Sequence, residues 1–321
     1  MSAPPATEVR LLFNLRDAVS TAHVLAAAAE LGLIDKVTSS GPKDANELAH
    51  ACATHPSMTA LLLDALAALG VVRRDGAGRY GLAIDWLPVM KAAIRGWSQL
   101  SVVVRSGEPL MRADSAQGAS DLYPSLLPVL SAMFTPAARR AAQLLDGHGA
   151  DVLDVGAGAA TWSIALASSS PALHVTALDL PRVIATTQRA VGAANLGGRF
   201  DYLPGDMFTC ELRAAGYDIV LLANVCHLFD EAHNRALLRR LRSALRPGGL
   251  VAIIDVLPSR DPAEQRSISL YALDLRLRTS SGAVHPIAAY ETWTNDAGFG
   301  PVQVERLSAE PSLSLLTCRT T

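Results

Sequence analysis

Charged residues are scarce in this 321-residue sequence: Asp, Glu, Lys and Arg make up 18% of it and leave a formal net charge of -2. The basic footprint of a nucleic-acid binder is therefore missing. No uninterrupted apolar run reaches the roughly 20 residues of a membrane span. Met1-Ser2-Ala3-Pro4-Pro5 shows no basic stretch leading into an apolar one. The expectation is a cytoplasmic protein with neither nucleic acid nor membrane as partner. Its four cysteines, Cys52, Cys210, Cys226 and Cys318, include no Cys-x-x-Cys pair, which argues against a disulfide framework or structural zinc and for reduced, mostly buried thiols. No repeat period is visible.

Apolar residues make up half the chain, enough for real cores, and about 150 residues per domain makes two domains the expectation. The first 135 residues read as helical. An amphipathic stretch from Val9 to Leu31 stops at Gly32, a C-cap residue. Helices over Glu47 to Ala53 and Met58 to Leu69 follow, split by His55-Pro56, and then a hairpin through Tyr80 turned at Asp75-Gly76. Helix, turn, helix and hairpin spell a winged helix. The helix that would enter a DNA groove, however, carries Asp64 and no Lys or Arg, so it would hold phosphates poorly. Its run Ala60-Leu61-Leu62-Leu63 with Leu66 and Leu69 suits packing, within the domain or against a second subunit.

A further helical stretch, Tyr123 to Leu145, carries Met133 and Phe134 and leads to Gly147-His148-Gly149, read as a boundary. The expected domains are 1–135 and 136–321. Beyond the boundary, strand-like runs alternate with helices: Asp151 to Val155, His174 to Leu178, Phe200 to Leu203, Tyr217 to Leu222, Leu250 to Val256, then a shorter pair near Val302 to Leu307 and Ser314 to Cys318. The fold class is α/β, a doubly wound Rossmann-like domain behind a mainly helical one.

Gly156-Ala157-Gly158 forms a Gly-x-Gly turn after the first of these strands, where backbone can approach a ligand closely. Asp179, about 20 residues on at the end of the next strand, is placed to accept from ribose hydroxyls. NAD and S-adenosylmethionine both fit so far. Asp154 would repel a pyrophosphate but attract an ammonium and a sulfonium, and the third glycine of the dinucleotide fingerprint is absent, Thr161 standing nearest. Asp206 in Gly205-Asp206-Met207-Phe208 can accept from an adenine amino group while Met207 or Phe208 covers the ring. The expected cofactor-binding set is Asp154, Gly156, Gly158, Asp179, Leu180, Asp206, Met207, Phe208 and Asn224.

The fourth strand runs into Asn224-Val225-Cys226-His227, where ligands of doubly wound sheets sit. A histidine with an ordinary pKa near 6.5 is largely neutral at pH 7 and can take a phenolic proton there, or it can simply pack under the sheet edge. Asp230 suits a helix N-cap and His233 the exposed side of that helix. His285 reads as a loop residue, although two histidines converging over a cofactor, His227 and His285, could hold a metal.

Together these segments resemble the two-domain S-adenosylmethionine-dependent O-methyltransferases, typified by plant caffeate and flavonoid enzymes and bacterial natural-product enzymes. The resemblance covers nearly the whole chain. It includes the winged-helix region, the helix carrying Met133, Leu153-Asp154-Val155-Gly156-Ala157-Gly158, Asp179-Leu180-Pro181, Gly205-Asp206-Met207-Phe208, Cys226-His227 and Arg246-Pro247-Gly248-Gly249. It implies cofactor contacts at Gly156, Asp179, Asp206 and Met207, a general base at His227, an acceptor pocket lined in part by the Met133 helix, and an obligate homodimer with interlocking N-terminal helices. Two departures stand out: the plant enzymes carry His-Asp-Trp where this chain has His227-Leu228-Phe229, and the acid flanking their base falls at Val284. The proton-transfer machinery is expected to be reduced.

The leading reading is methyl transfer to a phenol or enol hydroxyl of a small natural-product intermediate, with no metal. Candidate acceptor contacts are Trp97, Met133, Phe134, Tyr271 and Leu275, with Tyr123 and Trp293 behind them, each assigned on first principles to plain core before pocket. The alternatives are metal-assisted C-methylation of an α-keto acid or similar activated carbon, a homologue that binds S-adenosylmethionine without transferring its methyl and assists hydroxylation or decarboxylation, and, most distantly, a DNA-binding regulator.

Overall fold

The computed structural model describes residues 6–39, 41–83, 87–145 and 151–321, and the chain divides after Leu100 into two compact units. In the first unit, α1 (Ala6–Glu30) turns into α2 (Leu33–Ser39) at Gly32, which takes the left-handed φ of +73° expected of a C-cap glycine. A capping box starts α3 (Ala45–Ala51): Asp44 accepts from the Glu47 backbone N–H, and Glu47 accepts from that of Asp44. Pro56, whose missing N–H costs nothing in a first turn, opens α4 (Pro56–Ala68). The hairpin β1 (Val72–Arg74) and β2 (Tyr80–Leu82) and then α5 (Leu87–Ser98) follow.

Leu33, Leu48, Leu63, Leu66 and Tyr80 form this unit's core. Asp64 of α4 accepts from the Tyr80 hydroxyl at 2.6 Å and pairs with Arg74, so the acid on the would-be DNA helix is used inside the domain. The leucine run of α4 divides: Leu63 and Leu66 are buried, whereas Met58, Leu61 and Leu69 are exposed. Among the described residues no single helix is long and apolar enough to cross a membrane; only α1 and α2 taken together, bent by 64°, pass by length and composition.

The second unit opens with α6 (Leu100–Ser106), at whose first residue the division falls, and α7 (Ala116–Leu145). This division falls earlier than the expected boundary after residue 135, which lies within α7. Pro124, Pro128 and Pro136 lie inside this helix without ending it, and its last turns bury Ala137, Ala138, Ala141 and Ala142 in the same core as Trp162 and Leu166. Gly147-His148-Gly149 lies outside the described residues.

Then come β3 (Asp151–Val155), α8 (Thr161–Ser169), β4 (His174–Asp179), α9 (Pro181–Ala193), β5 (Phe200–Pro204), β6 (Tyr217–Ala223), α10 (Glu231–Ala244), β7 (Leu245–Asp255), α11 (Pro262–Arg278), α12 (Ile287–Asp296), β8 (Gln303–Ser308) and β9 (Leu313–Arg319). The seven strands order as β5-β4-β3-β6-β7-β9-β8. The pairs from β5 through β7 are parallel, while β9 runs antiparallel to both β7 and β8. Strand order reverses between β3 and β6, which opens a crevice beyond their carboxyl ends. Asp179, Gly205, Asn224 and Asp255 all stand at or just past a strand's carboxyl end on that same edge.

Candidate active site

The loop after β3 is built from left-handed residues: Gly156 at φ +70°, Gly158 at +58° and, without a glycine's freedom, Ala160 at +53°. Room is short as well. A Cβ on Gly156 would stand 2.8 Å from Val225 Cγ2, and one on Gly158 2.7 Å from Leu127 Cδ2. Asn224, after β6, also takes a positive φ of +56°. Such backbone persists where its surroundings over-determine it, as around ligand clamps.

These loops wall a concave cavity that is partly open to solvent, the form a small-molecule site takes. Gly156, Gly158, Asp179, Leu180, Asp206, Met207, Phe208 and Asn224 all line it, so eight of the nine expected cofactor residues meet there. Asp179 Oδ2 accepts from Gly158 N–H at 2.8 Å and Oδ1 from Leu180 N–H at 2.7 Å, which ties the first loop to the second. Burial pushes the Asp179 carboxyl up to about 6, against those two hydrogen bonds. Asp206 Oδ1 accepts from Phe208 N–H, and Phe208 meets Phe229 edge to face at 5.1 Å. Close glycine backbone, one carboxylate at each of two strand ends and apolar Met207 and Phe208 together suit a nucleoside bearing an amino-acid tail.

Asp154 is the exception. It is 2% exposed, absent from the cavity wall, and accepts a short 2.5 Å hydrogen bond from Ser163 of α8. Burial, opposed by the Ser163 bond and assisted by Asp179, pushes its carboxyl up to about 7. β3 turns its side chain into the core against α8, so it does not line the cavity where the sequence predicts that it meets a sulfonium.

His227 sits in a short turn after β6, buried at 3% exposure. Its Nδ1 lies 2.6 Å from Asp255 Oδ1, and its Nε2 3.0 Å from the Tyr271 hydroxyl. Asp255, completely buried at the end of β7, also accepts from Val256 N–H, His227 N–H and the Tyr290 hydroxyl. Four donors fill the lone-pair sites of one carboxylate. Asp255, Tyr290 and the hydrogen-bonding role of Tyr271 are absent from the sequence expectations; the only signal for Asp255 is an acid ending an otherwise apolar strand. An acid does flank the histidine, supplied by β7 and not by the loop at Val284.

The acceptor candidates scatter. Phe134 and Tyr123 line the cavity. Met133 is 44% exposed, whereas Leu275 and Trp293 are core residues; none of the three lines the cavity, because on α7, α11 and α12 the core and solvent faces claim them. Tyr271 lies against His227, and Trp97 belongs to α5 of the first unit. His285 Nε2 bonds the Phe229 carbonyl, and both ring nitrogens of His227 are engaged, so this pair is not presented to a metal. Among the described residues no group of three or more His, Cys, Asp or Glu is placed to hold one. Asp230 caps α10 through His233 N–H, with His233 exposed, as expected.

Comparison with known proteins converges on one family. Residues 137–300 match the O-methyltransferase domain and residues 13–83 the O-methyltransferase dimerisation domain. The chain is 30% identical over 319 residues to 3-hydroxy-5-methyl-1-naphthoate 3-O-methyltransferase of Streptomyces sahachiroi, covering 93% of this chain and 92% of the relative. It is 28% identical to 3-amino-4-hydroxybenzoate 4-O-methyltransferase of Streptomyces cremeus, over 99% of this chain and 92% of that one. Human N-acetylserotonin methyltransferase, solved with S-adenosylmethionine, superposes with a TM-score of 0.76 at 23% identity, covering 100% of this chain and 99% of its own. That last likeness is one of fold.

Proposed function

The chain belongs to the O-methyltransferase family and uses S-adenosylmethionine, and on that premise we propose that His227 is the base for methyl transfer to an aromatic hydroxyl of a natural-product intermediate. The observation that carries this reading is the Asp255–His227 pair at the carboxyl end of β6, beside the cavity wall formed by Asn224, Val225, Leu228 and Phe229. Phenolic acceptors are also named for the two Streptomyces relatives.

When bound, S-adenosylmethionine supplies an electrophilic methyl on a sulfonium. The glycine loop, Asp179, Asp206 and Asn224 would hold and orient it, with Met207 and Phe208 offering apolar surface for the adenine. The apolar wall of Leu127, Leu130, Phe134 and Trp162 keeps water away from the acceptor, so that orientation supplies much of the acceleration. Asp255 fixes the His227 ring and favours its positive charge as the acceptor's proton is taken. The enzyme works as a homodimer through its N-terminal domain and in the cytoplasm, with neither nucleic acid nor membrane as partner.

The test is S-adenosylhomocysteine release with a panel of phenolic and α-keto-acid acceptors, each run with and without a chelator. Turnover of a phenol that ignores the chelator and falls on the order of 10²- to 10⁴-fold in His227→Ala is the expected result. Turnover confined to α-keto acids, or an undiminished His227→Ala rate, overturns it.

A further inference from the structure

We propose that Tyr271 stands between the acceptor and His227 and relays the acceptor's proton, so that the base works through a tyrosine hydroxyl. The inference deepens the reading of His227 as base and rests on it.

The argument begins with the tautomer. Asp255 receives hydrogen bonds from two backbone N–H groups and from the Tyr290 hydroxyl, and a carboxylate so surrounded is an acceptor. The His227 nitrogen 2.6 Å from it, Nδ1, therefore carries the proton. In the neutral ring Nε2 is then the only basic site, and its single lone pair is met by the Tyr271 hydroxyl at 3.0 Å, which donates to it. An acceptor hydroxyl cannot bond Nε2 while Tyr271 is there. Neither His227 nor Tyr271 is among the residues that line the cavity, but His227 is 3% exposed whereas Tyr271 keeps part of its surface open.

Tyr271 is better placed for contact than the histidine. It is half-buried and packs at the edge of both hydrophobic layers of the sheet domain. Burial drives its phenol pKa up, and the Arg278 guanidinium is close enough to pull it back. Arg278 in turn reaches the hydroxyl of Tyr123, which lines the cavity, at 3.5 Å and holds Asp274 Oδ2 at 3.1 Å. Arg278 and Tyr123 both stand near enough to Tyr271 to bear on its ionisation, which sets the Tyr271–His227 pair close to the cavity wall at Tyr123.

The step balances without a tyrosinate. As the acceptor oxygen gains the methyl and the C–S bond of the sulfonium breaks to a thioether, the acceptor's O–H proton passes to Tyr271 Oη. The proton Tyr271 already held passes to His227 Nε2. Tyr271 begins and ends neutral, as its burial requires, and the positive charge lost from sulfur reappears on the imidazolium beside Asp255. After product leaves, the reverse relay to an entering water restores the starting state.

Two measurements on the full-length enzyme test this, with whichever phenol of the panel above turns over. Tyr271→Phe should lower kcat on the order of 10²-fold while KM and the calorimetric affinity for S-adenosylhomocysteine change less than about threefold. For the wild-type enzyme, which needs no variant to fold, kcat in mixtures of light and heavy water should follow the curved dependence of two protons in flight. An unchanged or faster Tyr271→Phe, as expected if the tyrosine merely blocks the base, overturns the relay, and so does a linear isotope dependence. If His227→Ala loses activity while Tyr271→Phe keeps it, only the relay fails; if His227→Ala keeps full activity, or no phenol turns over, the base assignment fails and the relay with it.

Discussion

At the scale of single residues, Asp255 decides what His227 can do. Replacing it with Asn keeps the shape but removes the charge, and the amide can donate to Nδ1 and so favour the tautomer with its proton on Nε2. Asp255→Asn is expected to lower kcat on the order of 10²- to 10⁴-fold with cofactor affinity unchanged, read by S-adenosylhomocysteine release and calorimetry. Asp179 carries a different dependence. With its carboxyl raised to about 6, the free protein holds it protonated below that pH, whereas ribose hydroxyls bond best to the ionised form. Affinity for S-adenosylhomocysteine should therefore hold above pH 7 and weaken by up to about tenfold per unit below pH 6, measured by titration from pH 5 to 8. Asp154 bears on stability: its protonated form is the one the fold favours, so stability present at low pH is lost as pH rises from the ordinary carboxyl range through about 7. Melting of Asp154→Asn should accordingly vary less between pH 5 and 8 than that of the wild type. The sequence makes His227 and Asp179 legible because each follows a strand-like run and heads a loop. Asp255 also ends an apolar run, but its partner is 28 residues away and only parallel pairing of β6 with β7 brings them together. Asp154 is legible as a buried-site acid but not in its direction, which the pleat of β3 sets.

At the scale of elements, the strands are the easiest part to read, because a sheet covered on both faces needs continuous apolar runs. The expected strands agree with the observed ones to within a residue or two, except that β7 begins at Leu245 and carries Arg246-Pro247-Gly248-Gly249 within it. Helix α7 is harder. It begins at Ala116, seven residues before the expected start, and its prolines read as breakers in sequence. Packing against α8 and α9 outweighs the lost backbone bonds, and Leu127, between two of those prolines, reaches Gly158 of the cofactor loop. The segment after α11 is illegible for another reason: it acts through backbone. Ala283 N–H bonds the His227 carbonyl at 2.9 Å, and a Cβ on Gly282 would approach that same oxygen to 2.8 Å and collide with Thr279 Oγ1. Gly282→Ala should push this segment off the histidine turn and lower kcat at least about tenfold while leaving S-adenosylhomocysteine binding intact, because the atoms nearest the added Cβ belong to Thr279 and His227 and not to the cofactor loops. Equal losses in binding and turnover would place the segment's role elsewhere.

At the scale of the whole molecule, the winged-helix shape and the family's dimerisation domain pull the first unit in different directions, and charge decides between them. The helix that would enter a DNA groove, α4, has no basic residue and uses Asp64 internally, so nothing on it offsets phosphate repulsion. What it and α1 present is apolar: Leu11, Leu12, Leu15 and Val19 of α1 fall at helical spacing on one side and are more than half exposed, as are Met58 and Leu61 of α4. A stripe of that kind marks a contact surface, and residues 13–83 match a dimerisation domain. Homodimers pair around a twofold axis, so each interface residue occurs twice. Leu12→Glu with Leu15→Glu would set four carboxylates into an apolar interface, each losing its hydration without a partner. Light scattering is expected to show the wild-type protein at twice the 33.8 kDa chain mass and the double variant at the chain mass itself. The variant's circular dichroism should be unchanged, because both side chains face away from the core of Leu33, Leu48 and Leu63. A double variant that stays dimeric would show that α1 is not the seam and would turn attention to the exposed side of α4.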